Sequence, residues 1–170
     1  MAGNKYLKIA AGVVGEQAAI QSSAGAGDAG KIIALDAAGR IDNTMMPVGV
    51  GPETKTLTAS EALSGGNFVN IYDDAGTTKC RKADATAAGK EANGFVLAAV
   101  LEGNPATVYT DGINNQLGAL TGGTVYYLDT TPGGISATAP SGAGNIVQRM
   151  GRALSATELA FEPCIPITLA

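Results

Sequence analysis

The chain has 170 residues, of which 45% are hydrophobic and 15% charged, with 24 glycines, no histidine, no tryptophan and a net charge of −4. That length holds one compact domain and an arm, while the acidic balance and the lack of any Lys/Arg run exclude a phosphate-tracking surface, so no nucleic-acid partner is expected. Without histidine, Ser–His and Cys–His nucleophile pairs and imidazole metal sites cannot be built, and neither an enzyme nor a bound cofactor is expected. Much of the hydrophobic fraction is alanine, which buries little area per residue. A modest core under a weakly charged surface implies that partner chains cover part of that surface.

In chain order, "YLKIAAGVVGEQAA" first invites comparison with a signal peptide, because Lys5 and Lys8 precede an apolar run. The run from Ile9 to Gly15 is broken by Gly12 and stopped by Glu16, so it reads as structure. No stretch approaches the roughly 18 apolar residues of a membrane span, and no membrane partner is expected. "KYLKIA" and "GVVGEQAAIQ" are short extended pieces, followed by a Gly/Ala/Ser joint, "SSAGAGDAG". Within that joint, "GAGDAGK" (Gly25–Lys31) comes close to a phosphate-binding loop, which needs bare backbone N–H groups, a lysine and a hydroxyl for magnesium. Here Ile32 replaces the hydroxyl residue and Asp28 puts a carboxylate where the anion would sit, so the stretch reads as a joint. "KIIALDAAGRIDNTMMP" then reads as a strand, a turn and a second short strand, with Asp36 opening the turn and Gly39 supplying its permissive position. "PVGVGPE" is a linker that can continue neither a helix nor a central strand. The expected organisation is an arm and linker over residues 1–52 and a β domain over 53–170.

Beyond the linker, "TASEAL" reads as one helical turn capped by Thr58 or Ser60 and ended by Gly65-Gly66. "NFVNIY", the turn "DDAG" and "TTKCRKA" form a hairpin by length and turn chemistry. "DATAAGKEA" is a helical turn or loop. "NGFVLAAVLEG", "PATVYTDG", "TVYYLDT", "ISATA", "NIVQRMGRAL" and "LAFEP" follow as short strands separated by glycine-rich turns. This spacing predicts an all-β fold, a compact β-sandwich or small barrel, with an extended N-terminal arm containing a short β-hairpin. Phe95 and the Tyr126-Tyr127 pair serve its core, one tyrosine of the pair facing outward because strand side chains alternate. Cys80 and Cys164 could form a disulfide or remain two free thiols, the latter being preferred.

Two groups of residues are candidates for partner contact. Tyr6, Leu7, Ile9, Ile32, Ile33, Leu35, Ile41, Met45 and Met46 lie in an arm with no obvious core of its own. Either they pack under the β domain or they contact neighbouring subunits, and the second reading is preferred because adaptable aliphatic and Met side chains suit a groove. Lys79 and Arg81, alternate residues of one strand with Lys82 and Lys90 nearby, share a face that is either simply solvated or aimed at an acidic partner.

The blocks "SGGNFVNIYDDAG", "RKADATAAGKEANGFVLAAVLEG" and "LTGGTVYYLDTTPGGISATAPSGAGNIVQRMGRALSATELAFEP" resemble the β module of tailed-bacteriophage head decoration, or capsid cement, proteins. "AGKIIALDAAGRIDNTMMP" resembles a segment that precedes such modules in virion proteins. The likeness runs in blocks over residues 20–165 and matches no fixed contact motif. It implies a non-catalytic protein, made in the host bacterial cytoplasm and placed on the outer surface of the capsid. Its partners would be the major capsid protein and further copies of itself, commonly in a homotrimer, and its function would be to lock neighbouring capsomers together. The alternative is a trimeric phage fibre or host-receptor-binding protein, whose arm would anchor to the virion.

Overall fold

The computed structural model describes residues 4–46 and 53–170. The chain is all-β and divides into two units, Met1–Gly51 and Pro52–Ala170. All of "PVGVGPE" except Glu53 lies outside the described residues.

The first unit is the arm, and it contains a hairpin. Strands β1 (Lys5–Ala10) and β2 (Val13–Ala18) pair antiparallel from Lys5↔Ala18 to Ala10↔Val13. The two-residue loop between them, Ala11-Gly12, has positive φ at both positions (50° and 80°), the mark of a type I′ turn that matches the twist of the strands. Residues 20–46 form no further strand pair beyond a single parallel bridge, Ile20 to Ile33. Instead they are pinned by polar contacts. The Gln21 side chain donates to the Leu35 carbonyl at 2.7 Å, and the Ser23 N–H donates to the Thr44 hydroxyl at 2.8 Å.

The strand–turn–strand expected over 28–47 is therefore half present. Its turn forms as read: the Asp36 carboxylate accepts the N–H groups of Ala38 and Arg40, and Gly39 takes φ 74°. The flanking strands do not form. Asp42 draws the Thr44 N–H and hydroxyl onto its own carboxylate, winding Asn43–Met45 into a 3-10 turn.

The second unit opens with β3 (Thr54–Ala59), β4 (Phe68–Asp74), β5 (Thr77–Lys82), β6 (Gly94–Phe95) and β7 (Pro105–Tyr109). These close into a barrel because β3 pairs antiparallel with β7 on one side and parallel with β5 on the other. There follow β8 (Gly112–Asn114), β9 (Val125–Leu128), β10 (Ile135–Ser136), β11 (Ile146–Val147), β12 (Arg149–Ala153), β13 (Leu159–Phe161) and β14 (Ile167–Thr168). A five-stranded antiparallel sheet runs β10-β9-β12-β13-β8, and β11 pairs with β14 apart from it.

Side-chain alternation along β4 and through Phe95-Val96, at the end of β6, builds two cores at once. Val69, Ile71 and Val96 point into the barrel with Leu57, Ala59, Cys80, Ala106 and Val108, small residues suited to a five-stranded interior. Phe68 and Phe95 point the other way and meet Tyr126, Leu128, Met150, Leu159 and Phe161 of the sheet. The unit is thus a barrel with a sheet packed on its wall. Phe95 and Tyr126 are buried and Tyr127 is half-buried, as the alternation required.

One element differs in kind from its reading. "TASEAL" contains no helical turn; Thr58 and Ala59 end β3, and the chain bends at Ser60. The Ser60 hydroxyl and N–H both donate to the Cys80 carbonyl, and Glu61 accepts the Lys82 N–H, so the capping residues are spent on the neighbouring strand. Tertiary pairing overrides the local helix propensity of Glu61-Ala62-Leu63.

The β4–β5 hairpin has the expected register, closed by Asp74↔Thr77 around Ala75-Gly76, with φ 51° and 87°. Ala75 pays a steric cost in the left-handed region that asparagine tolerates better. Ala75→Asn should stabilise the protein by about 0.5–1 kcal/mol, read as a higher urea midpoint at unchanged slope.

The loop between β5 and β6 is held from two sides. Gln148, buried, accepts the Ala92 N–H at 2.8 Å and donates to the Ala92 carbonyl at 2.9 Å. At its other end the carboxylate of Asp84, also buried, accepts from the Thr86 N–H and hydroxyl and from the Lys90 ammonium at 3.1 Å. Burial pushes the Asp84 carboxyl up, but the Thr86 hydrogen bonds and Lys90 outweigh it and hold the group below its ordinary value. A lowered carboxyl contributes stability that is complete above its unfolded value, about 3.9, and is lost as pH falls through the folded value. The stability advantage of the native chain over Asp84→Asn should accordingly be constant near neutrality and shrink below about pH 4. Urea unfolding across that range checks it, and an advantage independent of pH would contradict the assignment.

Candidate interaction surfaces

The sequence candidates fall on three surfaces. On the arm hairpin, cross-strand partners share a face, so Leu7 and Ile9 stand beside Val14 and Glu16. Leu7, Ile9 and Val14 are 73%, 71% and 60% exposed, and the Lys5–Glu16 ion pair (2.8 Å) closes the end of this face. Tyr6 lies on the opposite face, half-buried, and its hydroxyl is enclosed with no hydrogen-bond partner among the described residues. Val13, 69% exposed, shares that second face with Lys8 and Ala10, which line a shallow depression of about 290 Å³. Sequence reading missed Val13 and Val14, although two β-branched residues directly after an Ala-Gly turn were the signal available.

Ile32, Ile33, Leu35, Ile41 and Met46 form the exposed apolar residues of the rest of the arm. Met45 differs, being half-buried. "GAGDAGK" forms a three-residue 3-10 turn, Ala26–Asp28, in which Asp28 accepts the Ala24 N–H and grips the Lys31 ammonium at 2.6 Å. Those two contacts, the lysine's foremost, lower the Asp28 carboxyl, so the lysine a phosphate would need is already neutralised. The joint is hydrogen-bonded, and it is no phosphate cradle.

Lys79 and Arg81 do lie on one face of β5, with their charges engaged internally. Lys79 pairs with Asp74 at 2.6 Å, which raises its pKa. Arg81 donates to the Asn70 side chain and the Gly89 carbonyl and lies 4.3 Å over the Tyr72 ring.

A surface that the sequence reading did not single out is the solvent face of the five-stranded sheet. Ile113, Ala160, Arg152 and Val125 form one row across β8, β13, β12 and β9, and Arg149, Tyr127 and Ser136 form the next across β12, β9 and β10. Arg149 and Arg152 are three residues apart and would point to opposite faces of a regular strand. The bulge between Arg149 and Gly151 shifts the alternation by one and turns both to solvent.

Both cysteines are free; Cys80 is buried inside the barrel, where burial pushes its thiol up, and Cys164 is exposed. Among the described residues no group of three or more Cys, Asp or Glu is placed to hold a metal ion, and no helix is long and apolar enough to cross a membrane. A cleft of about 330 Å³ lies beside β7, lined by Leu97–Val100, Pro105, Thr107 and Tyr109, and contains no acid–base pair. No protein-family model matches the chain, and no curated protein matches it.

Proposed function

We propose that the protein is a structural virion component, a capsid decoration protein that binds the outer surface of a phage head and holds neighbouring capsomers together. The observation that carries this reading is the arm hairpin, whose Leu7, Ile9 and Val14 stand uncovered on one face. A two-stranded hairpin is marginal in water by itself, and one that exposes its apolar residues gains most of its stability on docking. The second unit, with its own barrel and two cores, supplies a rigid knob. Several arms engaged on one shell would raise avidity well above that of a single contact and would stabilise the assembled form by mass action.

Co-sedimentation with expanded, undecorated heads tests the reading, using the full chain, the full-length Leu7→Asp/Ile9→Asp variant and a version lacking residues 1–52. The full chain should pellet with heads and the other two should stay in the supernatant. If none of the three pellets, the capsid reading fails; if all pellet equally, the hairpin is not the clamp.

A further inference from the structure

We propose that the cleft beside β7 is a binding slot for an extended, uncharged peptide segment, which adds to the barrel as a strand where the barrel wall is open. The inference lies within the second unit and is independent of the capsid reading. The opening follows from how the barrel closes. β6 and β7 share a single pair, Phe95↔Tyr109. An antiparallel ladder continued one step would set Leu97 against Thr107, but the chain after Phe95 turns away from β7. The Val96 N–H donates to the Asn67 carbonyl at 3.0 Å, and Val100 exchanges both of its backbone bonds with Leu63, at 2.8 and 2.9 Å. Between these anchors Leu97, Ala98 and Ala99 make no backbone hydrogen bond among the described residues.

The opposite wall of the cleft is β7 itself. On the side toward β3, the Thr110 N–H donates to the Glu53 carbonyl at 2.9 Å and the Ala59 N–H to the Asn104 carbonyl at 3.0 Å, which fixes the phase of that ladder. Bonds to β3 therefore fall at Ala106 and Val108, and the alternate residues aim their backbone groups the other way. Tyr109 meets Phe95 there, whereas Thr107 has no described partner, so its N–H and carbonyl stand bare at the cleft. Two facing stretches of unpaired backbone, with about 330 Å³ between them, complement the donors and acceptors of a third, extended chain. Strand addition draws its affinity from such main-chain groups. The lining sets the class of side chain. None of the residues around the cleft is charged, so a charged residue would lose its water there without gaining a partner. Tyr109, held by stacking on Phe95 with centroids 5.5 Å apart, and Pro105 offer an apolar floor to small or β-branched side chains.

Amide hydrogen exchange and shift mapping by NMR on the full-length chain test this, the probe being a pool of end-blocked pentapeptides built from Gly, Ala, Val, Ser and Thr. In the free chain the Thr107 N–H should exchange at least about 100-fold faster than those of Ala106 and Val108, which are bonded to β3. The pool at saturation should slow Thr107 at least about fivefold and shift Leu97, Ala98 and Ala99. A pool N-methylated at every second residue should bind at least about tenfold more weakly, because it lacks donors for the open edge. Thr107→Pro removes the N–H that faces the cleft and leaves the bonds to β3, so it should lose binding with unchanged circular dichroism. Should that variant not fold, the N-methylated pool makes the same distinction on the native chain. Slow exchange of Thr107 in the free chain overturns the proposal, since the edge is then already paired. So does a pool that leaves Thr107 exchange unaltered, or one that binds equally well when N-methylated. Shifts around the cleft from maltohexaose and none from the peptides would assign it to sugars and equally overturn it.

Discussion

Replacing Gly151 with alanine is expected to cost the second unit its fold. Gly151 sits at the β12 bulge with φ 145°, a conformation that side chains of L-residues rarely adopt. A Cβ there would collide with the Ala160 carbonyl oxygen of β13 and crowd the Glu162 N–H at 3.2 Å. These are backbone atoms of the paired strand, so relief requires separating β12 from β13, which carries Leu159 and Phe161 of the core. Strain and lost pairing together should exceed roughly 4 kcal/mol. The variant should be recovered unfolded or melt at least about 10 °C lower. Gly118→Ala, at a site with no atom within 4 Å of the added carbon, serves as the control and should stay within about 0.5 kcal/mol of native. Equal melting of the two variants would show that β12 and β13 are not paired as described.

The second large effect belongs to Phe68. Its ring is fully buried, with centroids 6.2 Å from Phe95 and 5.7 Å from Phe161, and it leaves a barrel strand to fill the space under the sheet. Phe68→Ala removes that filling from both layers and should cost about 3–5 kcal/mol. Because the side chain couples barrel to sheet, native unfolding should be one transition, with far-ultraviolet circular dichroism and the fluorescence of the tyrosines coinciding. A cost under about 1 kcal/mol, or a native chain whose sheet and barrel melt separately, would contradict the shared core.

The sequence discloses what is local. Strands are predicted at "NFVNIY", "NGFVLAAVLEG" and "TVYYLDT", and Phe95 and one tyrosine of the Tyr126-Tyr127 pair are placed in the core. Turn chemistry places Ala75-Gly76 and Asp36–Gly39, and an all-β fold follows from short strands between glycines. What it does not disclose depends on distant partners. The parallel β3–β5 pairing that closes the barrel joins segments with no signal for each other, and it turns "TASEAL" from a helix start into a strand end. The arm candidates Leu7, Ile9, Ile32, Ile33 and Leu35 are visible as apolar residues without a local core, and the structure leaves them exposed. Lys79 and Arg81 are visible as cations on one face, but their partners Asp74, Asn70 and Gly89 are contributed by the fold. Arg149 and Arg152 are invisible as a pair, since a spacing of three puts strand residues on opposite faces unless a bulge intervenes.

The order of Phe68, Phe95 and Phe161 along the chain has a consequence for biosynthesis. Phe68 and Phe95 are made first, and the ring that covers both, with centroids 5.7 and 5.5 Å away, is translated well after them. While β13 is still inside the ribosome it cannot pair with β12 or β8, and the barrel wall presents its phenylalanines uncovered. The unit therefore completes its fold only once β13 has emerged, and a chain stopped short of that strand is a target for chaperones or a seed for aggregation. Truncation of the chain before Phe161 would be felt first as lost solubility.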